Sequence, residues 1–103
     1  MVTDGFYQGL TLCAGDLDRY RFEVPAGWVI SALIEFELEE GDLDLALFDD
    51  RNTPILSDRG ARPGSLIEWR TTLSGEYTLE VSGADDRVQN RYSLDLYFFP
   101  TDA

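Results

Sequence analysis

Six stretches of this chain alternate apolar and polar residues with a period of two, a pattern that admits little except half-buried strands. Tyr20, Phe22 and Val24 share one parity, and Arg19, Arg21 and Glu23 take the other. Ile30, Ala32, Ile34 and Phe36 alternate with Ser31, Leu33, Glu35 and Glu37, and Leu43, Leu45 and Leu47 with Asp42, Asp44 and Ala46. The pattern recurs at Ile67 and Trp69, at Tyr77, Leu79 and Val81, and at Tyr92, Leu94, Leu96 and Phe98. Shorter runs at Leu10 to Cys13 and Ile55 to Ser57 bring the expected count to about eight. Turn-forming residues separate them, in segments such as EEGD, DDRNTP, LSGE and SGADD. No segment sustains a 3.6-residue period, so the expected architecture is an all-β, antiparallel sandwich of two sheets. Jelly-roll and immunoglobulin-like connections produce similar alternation, which leaves the strand order open.

The 103 residues suffice for one core. The expected division is a lead-in at 1–8, a sandwich at 9–99 and a tail at 100–103. No apolar run approaches the roughly 20 residues that span a bilayer. Nor does the start have the basic and apolar regions of a signal peptide, so an export signal would lie outside this segment. Twenty acidic residues face eight basic ones, all arginine, for a net charge of -12. Nucleic acids and anionic membrane surfaces would be repelled by that charge. Divalent cations or cationic partners would be attracted.

Histidine is absent, which removes the commonest general base and every Ser-His or Cys-His pair. Cys13 is the lone cysteine and cannot form an internal disulfide. Two readings suit it: a small buried hydrophobe, or half of a bridge to a partner outside this segment. No cleft is evident that would set two carboxylates to glycoside hydrolysis. The expectation is a protein that is not an enzyme.

The tetrapeptide GDLD occurs twice, as Gly15-Asp16-Leu17-Asp18 and Gly41-Asp42-Leu43-Asp44, each time entering an apolar stretch. Asp at i and i+2 of a strand share a side, so Asp16 with Asp18, or Asp42 with Asp44, can converge on one calcium ion. A pair supplies only two of the six to eight oxygens calcium takes, and neither copy has an EF-hand loop. The competing expectation for both copies is turn chemistry, with Asp on the solvent face and Leu in the core.

The ordered set LCAGDLDRYRFEV, PAGWVISALIEF, GDLDLALFDD, SGEYTLEVSG and RYSLDLYF resembles the bacterial pre-peptidase C-terminal domain, from about Gly9 to Phe98. That family is similar in turn to the collagen-binding domains of clostridial collagenases. The resemblance implies a jelly-roll-like sandwich of about eight strands, non-catalytic and appended to secreted bacterial proteins, often peptidases. Its location would be secreted, periplasmic or at the cell surface. Its partners would be the parent polypeptide or an extracellular protein or glycan. In the collagen-binding relatives, acidic residues ahead of a Tyr-x-Phe strand contribute to a calcium site, which makes Asp16 and Asp18 the first candidates and Asp42 and Asp44 the second. Those relatives draw further ligands from an acidic linker, where this chain offers only Asp4.

Aromatics on a sheet face serve binding in the same relatives. Trp28, just after the Pro25-Ala26-Gly27 turn, and Tyr97 and Phe99 are the candidate contact residues here. Tyr97 and Phe99 fall on the outward parity with Val29, Leu33 and Phe48. The alternatives are a ligand-binding face, or a structural module whose outward apolar residues meet the parent chain.

Overall fold

The computed structural model describes residues 2–59 and 63–101. Eight strands form where the alternation places them. They are β1 (Gly5–Leu12), β2 (Leu17–Val24), β3 (Trp28–Phe36), β4 (Leu43–Phe48), β5 (Pro54–Asp58), β6 (Gly64–Arg70), β7 (Gly75–Gly83) and β8 (Asn90–Pro100). A single 3-10 turn at Leu38–Glu40 precedes β4, and no α-helix occurs among the described residues. β1 begins within the stretch read as a lead-in, and β8 extends to Pro100.

The chain is a long hairpin folded onto itself. β1 pairs β8, β2 pairs β7, β3 pairs β6 and β4 pairs β5, all antiparallel. Rolling that ribbon brings β3 beside β8 and β4 beside β7, which closes two four-stranded sheets. The first sheet has the order β1-β8-β3-β6 and the second β2-β7-β4-β5. This is the jelly-roll connection, which the alternation alone left open.

One parity of each strand fills the space between the sheets. β3 contributes Ile30, Ala32, Ile34 and Phe36, and β8 contributes Tyr92, Leu94 and Leu96. Facing them are Phe22 and Val24 of β2, Leu43, Leu45 and Leu47 of β4, and Tyr77, Leu79 and Val81 of β7. Each such side chain stabilises by roughly 1.5–3 kcal/mol on leaving water. Two ring pairs span the sheets: Phe22 stacks on Phe98 at 4.8 Å between centroids, and Trp69 meets Tyr77 at 5.8 Å.

Polar side chains fasten the turns. The β2–β3 turn passes through Gly27, whose φ of 81° favours glycine. Buried Thr71, just past β6, holds this turn: its Oγ1 donates to the Pro25 carbonyl at 2.7 Å and accepts the Trp28 N–H at 3.1 Å. Buried Asn90 acts likewise at the opposite corner, where its Nδ2 donates to the carbonyls of Glu37 and Gly41, each at 2.8 Å. Gly41 has a φ of 137°, and a Cβ there would lie 2.8 Å from Val88. The corner therefore requires glycine on both counts.

Three local expectations are corrected. In the first GDLD, Leu17 is exposed and Asp18 takes the inward parity of Tyr20 and Phe22, because the β2 side chains that reach the core are the even-numbered ones. In the second copy the leucines do enter the core, but Asp44 on the opposite face is buried too, with only 6% of its surface exposed. Cys13 is exposed rather than buried, since it follows the end of β1 in a turn.

Replacing Leu79 with Ala should cost about 2–5 kcal/mol, because Leu79 is fully enclosed at the middle of β7. Leu73→Ala, at an exposed position, should stay within about 0.5 kcal/mol of the parent. Urea denaturation of both variants checks the contrast.

Candidate functional site

The two outer faces of the sandwich differ in chemistry. On the second sheet, cross-strand register places Leu17, Ser82 and Asp44 in one row and Arg19, Glu80 and Ala46 in the next. Arg19 binds Glu80 at 2.9 Å, and Arg21 lies 3.7 Å from Glu76. Charged pairs thus cross much of this face.

On the first sheet apolar and polar residues share the outward parity. Phe99 stands opposite Val29, Leu33 stands between Asp95 and Leu66, and Phe6 flanks Asp95 on the other side. Tyr97 lies opposite Ser31, between these rows. Phe6, Leu66, Tyr97 and Phe99 are each exposed to between 44% and 50%. Val29 and Leu33 are half-buried, Arg70 and Glu68 end the Val29 and Ser31 rows, and Glu35 lies beyond Leu33. The result is a stripe of half-exposed apolar residues crossed by Asp95 and Ser31, a mixed composition suited to a contact surface. Of the three aromatics singled out in the sequence, Tyr97 and Phe99 lie on this face. Trp28 does not: it takes the inward parity of β3, is half-buried and packs against the core. Phe6 and Leu66 join the stripe unannounced, because β1 was expected to start later and Leu66 lies ahead of the β6 alternation.

The four aspartates of the GDLD copies occupy unlike surroundings. Asp16 is exposed in the turn before β2, where its N–H donates to the Cys13 carbonyl. Asp18 accepts the Tyr92 hydroxyl at 2.5 Å, and Tyr92 is hydrogen-bonded in turn to Tyr20. This chain of side chains ties β2 to β8 across the sandwich. Burial, followed by the hydrogen bond to Asp18, raises the Tyr92 phenol far above its ordinary range, so it remains a donor.

Asp42 and Asp44 are the more unusual pair. Oδ1 of each is buried and meets no hydrogen-bond donor among the described residues. Asp44 Oδ2 lies 3.8 Å from the Arg59 guanidinium, whose side chain is largely exposed. Burial raises the Asp42 carboxyl above its usual range, and the charge of Asp58 adds to the shift. Burial also raises Asp44, with the charges of Asp42 and Asp58 adding to it while Arg59 opposes them. A buried carboxylate with unmet acceptors is costly to keep ionised.

Among the described residues no group of three or more His, Cys, Asp or Glu side chains is arranged to hold a metal ion. At the first GDLD the described chain brings Asp16 and Asp18 near one turn, and Asp18 already accepts from Tyr92. That falls well short of the oxygen set calcium takes, so the calcium implied by resemblance does not fit the residues described here.

No family model and no curated protein matches this sequence. Among solved structures, the chain is similar to the pre-peptidase C-terminal domain of a collagenase from Bacillus anthracis. The TM-score is 0.71 at 20% identity, covering 91% of this chain and 89% of that one. The resemblance read from the ordered strand motifs is thus met in three dimensions: this chain has the fold of a pre-peptidase C-terminal domain.

Tyr92→Phe removes the hydroxyl shared between Asp18 and Tyr20 and should destabilise the domain by about 1–3 kcal/mol. Tyr7→Phe loses a hydrogen bond in exposed surroundings and should cost less. Denaturation midpoints of the two variants check the difference.

Proposed function

We propose that this domain is a non-catalytic accessory module of an exported protein, which docks onto an extracellular protein surface through the outer face of its β1-β8-β3-β6 sheet. The observation that carries the reading is the contrast between the two outer faces. Charged pairs cross one sheet, whereas Phe6, Val29, Leu33, Leu66, Tyr97 and Phe99 form an apolar stripe on the other. Large half-exposed aromatics interspersed with polar groups are suited to a partner that supplies both apolar ridges and hydrogen-bonding groups. The net charge of -12 turns such a surface away from nucleic acids and anionic lipids.

The likeness to a collagenase domain supports the accessory role and suggests the first ligand to try, a fibrous extracellular protein. Strands present this face with little conformational freedom to lose, which lowers the ordering cost of binding. No chemistry is asked of the site, and the lack of histidine in the sequence fits that role.

Cosedimentation with insoluble collagen, and in parallel with chitin and cell-wall material, tests the proposal. Retention on collagen should fall at least about tenfold in a Tyr97→Ala, Phe99→Ala double variant, the loss expected on truncating two central aromatic contacts. Its melting temperature should stay near that of the parent because both side chains are half-exposed. Retention on none of the three materials would instead favour a structural module whose apolar face meets the parent chain.

A further inference from the structure

The Asp42–Asp44 corner has a feature that docking through the opposite sheet does not use. Two neighbouring carboxyl groups each present a buried oxygen with no donor among the described residues, and Asp44 as a whole is 6% exposed. The corner is also rigidly built. Asn90 pins Gly41 from below, the Ala84 N–H donates to the Asp42 carbonyl at 3.0 Å, and β7 pairs Ser82 with Asp44. The backbone that carries the two carboxyl groups is thereby fixed.

We propose that this corner takes up a proton as the pH falls and releases it as the pH rises, so that the sandwich is tightest in acid and loosens at the start of β4 as the buried carboxyl groups ionise. The charged groups around it support uptake of positive charge. Asp58, at the end of β5, is a third carboxylate nearby, and its Oδ2 already accepts the Leu66 N–H at 2.9 Å. From β7, Glu80 stands one row along and is held by Arg19. In the β7–β8 loop, Asp85 Oδ1 accepts the Arg87 N–H at 2.8 Å. β2 presents Leu17 and β6 presents Ser65, neither of which titrates. The cation that opposes the shift of Asp44 is Arg59, at 3.8 Å and largely exposed, which is weak compensation.

A proton suits this corner better than a metal ion. It needs neither a cavity nor a shell of six or more oxygens, whereas the two orphaned oxygens are closed to solvent. It also relieves the burial penalty that is the main cost of keeping the two groups ionised, and for Asp44 it removes a neighbouring like charge as well. The sign follows directly. A carboxyl group held above its ordinary range in the folded state binds its proton more tightly there than in the unfolded chain. Its contribution to stability is complete below the unfolded range and is lost as the pH rises through the folded value.

The test compares the whole domain with Asp44→Asn and Asp42→Asn by denaturation between about pH 4 and pH 8, while the Asp carboxyl carbons of the parent are titrated by NMR. As the pH rises from the ordinary aspartate range, the folding equilibrium constant of the parent should fall relative to Asp44→Asn and level off once the folded-state carboxyl has ionised. The steepest possible fall is about tenfold per pH unit for a full proton. The Asp44 carboxyl carbon should titrate above the ordinary aspartate range. Parallel stability profiles, with Asp44 titrating in the ordinary aspartate range, would overturn the proposal. So would a calcium-dependent stabilisation at neutral pH that Asp44→Asn abolishes, since the corner would then be a cation site. The carbon titration needs only the parent protein and decides the matter even if a variant fails to fold.

Discussion

The structure depends on a single apolar layer that both sheets must share. Each strand commits one parity to it, and no sheet could keep its inner face dry alone. Phe22 on Phe98 and Trp69 against Tyr77 join the sheets directly, while leucines, isoleucines and valines fill the space between. The nested pairing of β1 with β8 through β4 with β5 is the topology that lets one chain supply both walls. Most of these contacts are distant in sequence, so the loop-closure cost is met before packing rewards it, and folding should be slow for a domain of this size.

Once that layer is filled, the outward parity is free to differ between the sheets. Arg19 with Glu80 and Arg21 with Glu76 make the second sheet a solvated surface, and acidic residues at its corners discourage association. The first sheet keeps Phe6, Leu66, Tyr97 and Phe99 half-exposed, at a cost in solubility that the net charge of -12 offsets. A sandwich built only for its own stability has no need of that stripe.

Much of the fold was legible in the sequence, because period-two alternation is a direct consequence of strand geometry. Tyr77, Leu79 and Val81 on β7, and Tyr92, Leu94 and Leu96 on β8, lie where the pattern places them. The strand order was not legible, since alternation says nothing about which strands are neighbours. The two GDLD copies show the same limit at small scale. Identical letters led to opposite parities, because Asp18 reaches inward to Tyr92 while Leu43 enters the core and leaves Asp44 on the far side. Thr71 and Asn90 gave no signal at all, since their roles rest on carbonyls brought close by distant turns. Trp28 was misleading for a related reason: its place beside a turn suggested exposure, but β3 begins there with the inward parity.

The central claim is that binding takes place on the outer face of the first sheet. Its most direct measurement is an amide chemical-shift map of the domain titrated with a soluble collagen-like triple-helical peptide. The expected perturbations cluster at Phe6, Val29, Leu33, Leu66, Tyr97 and Phe99, with the Arg19, Glu80 and Ala46 row unmoved. Perturbations centred on that charged row, or on the loops at either end, would contradict it.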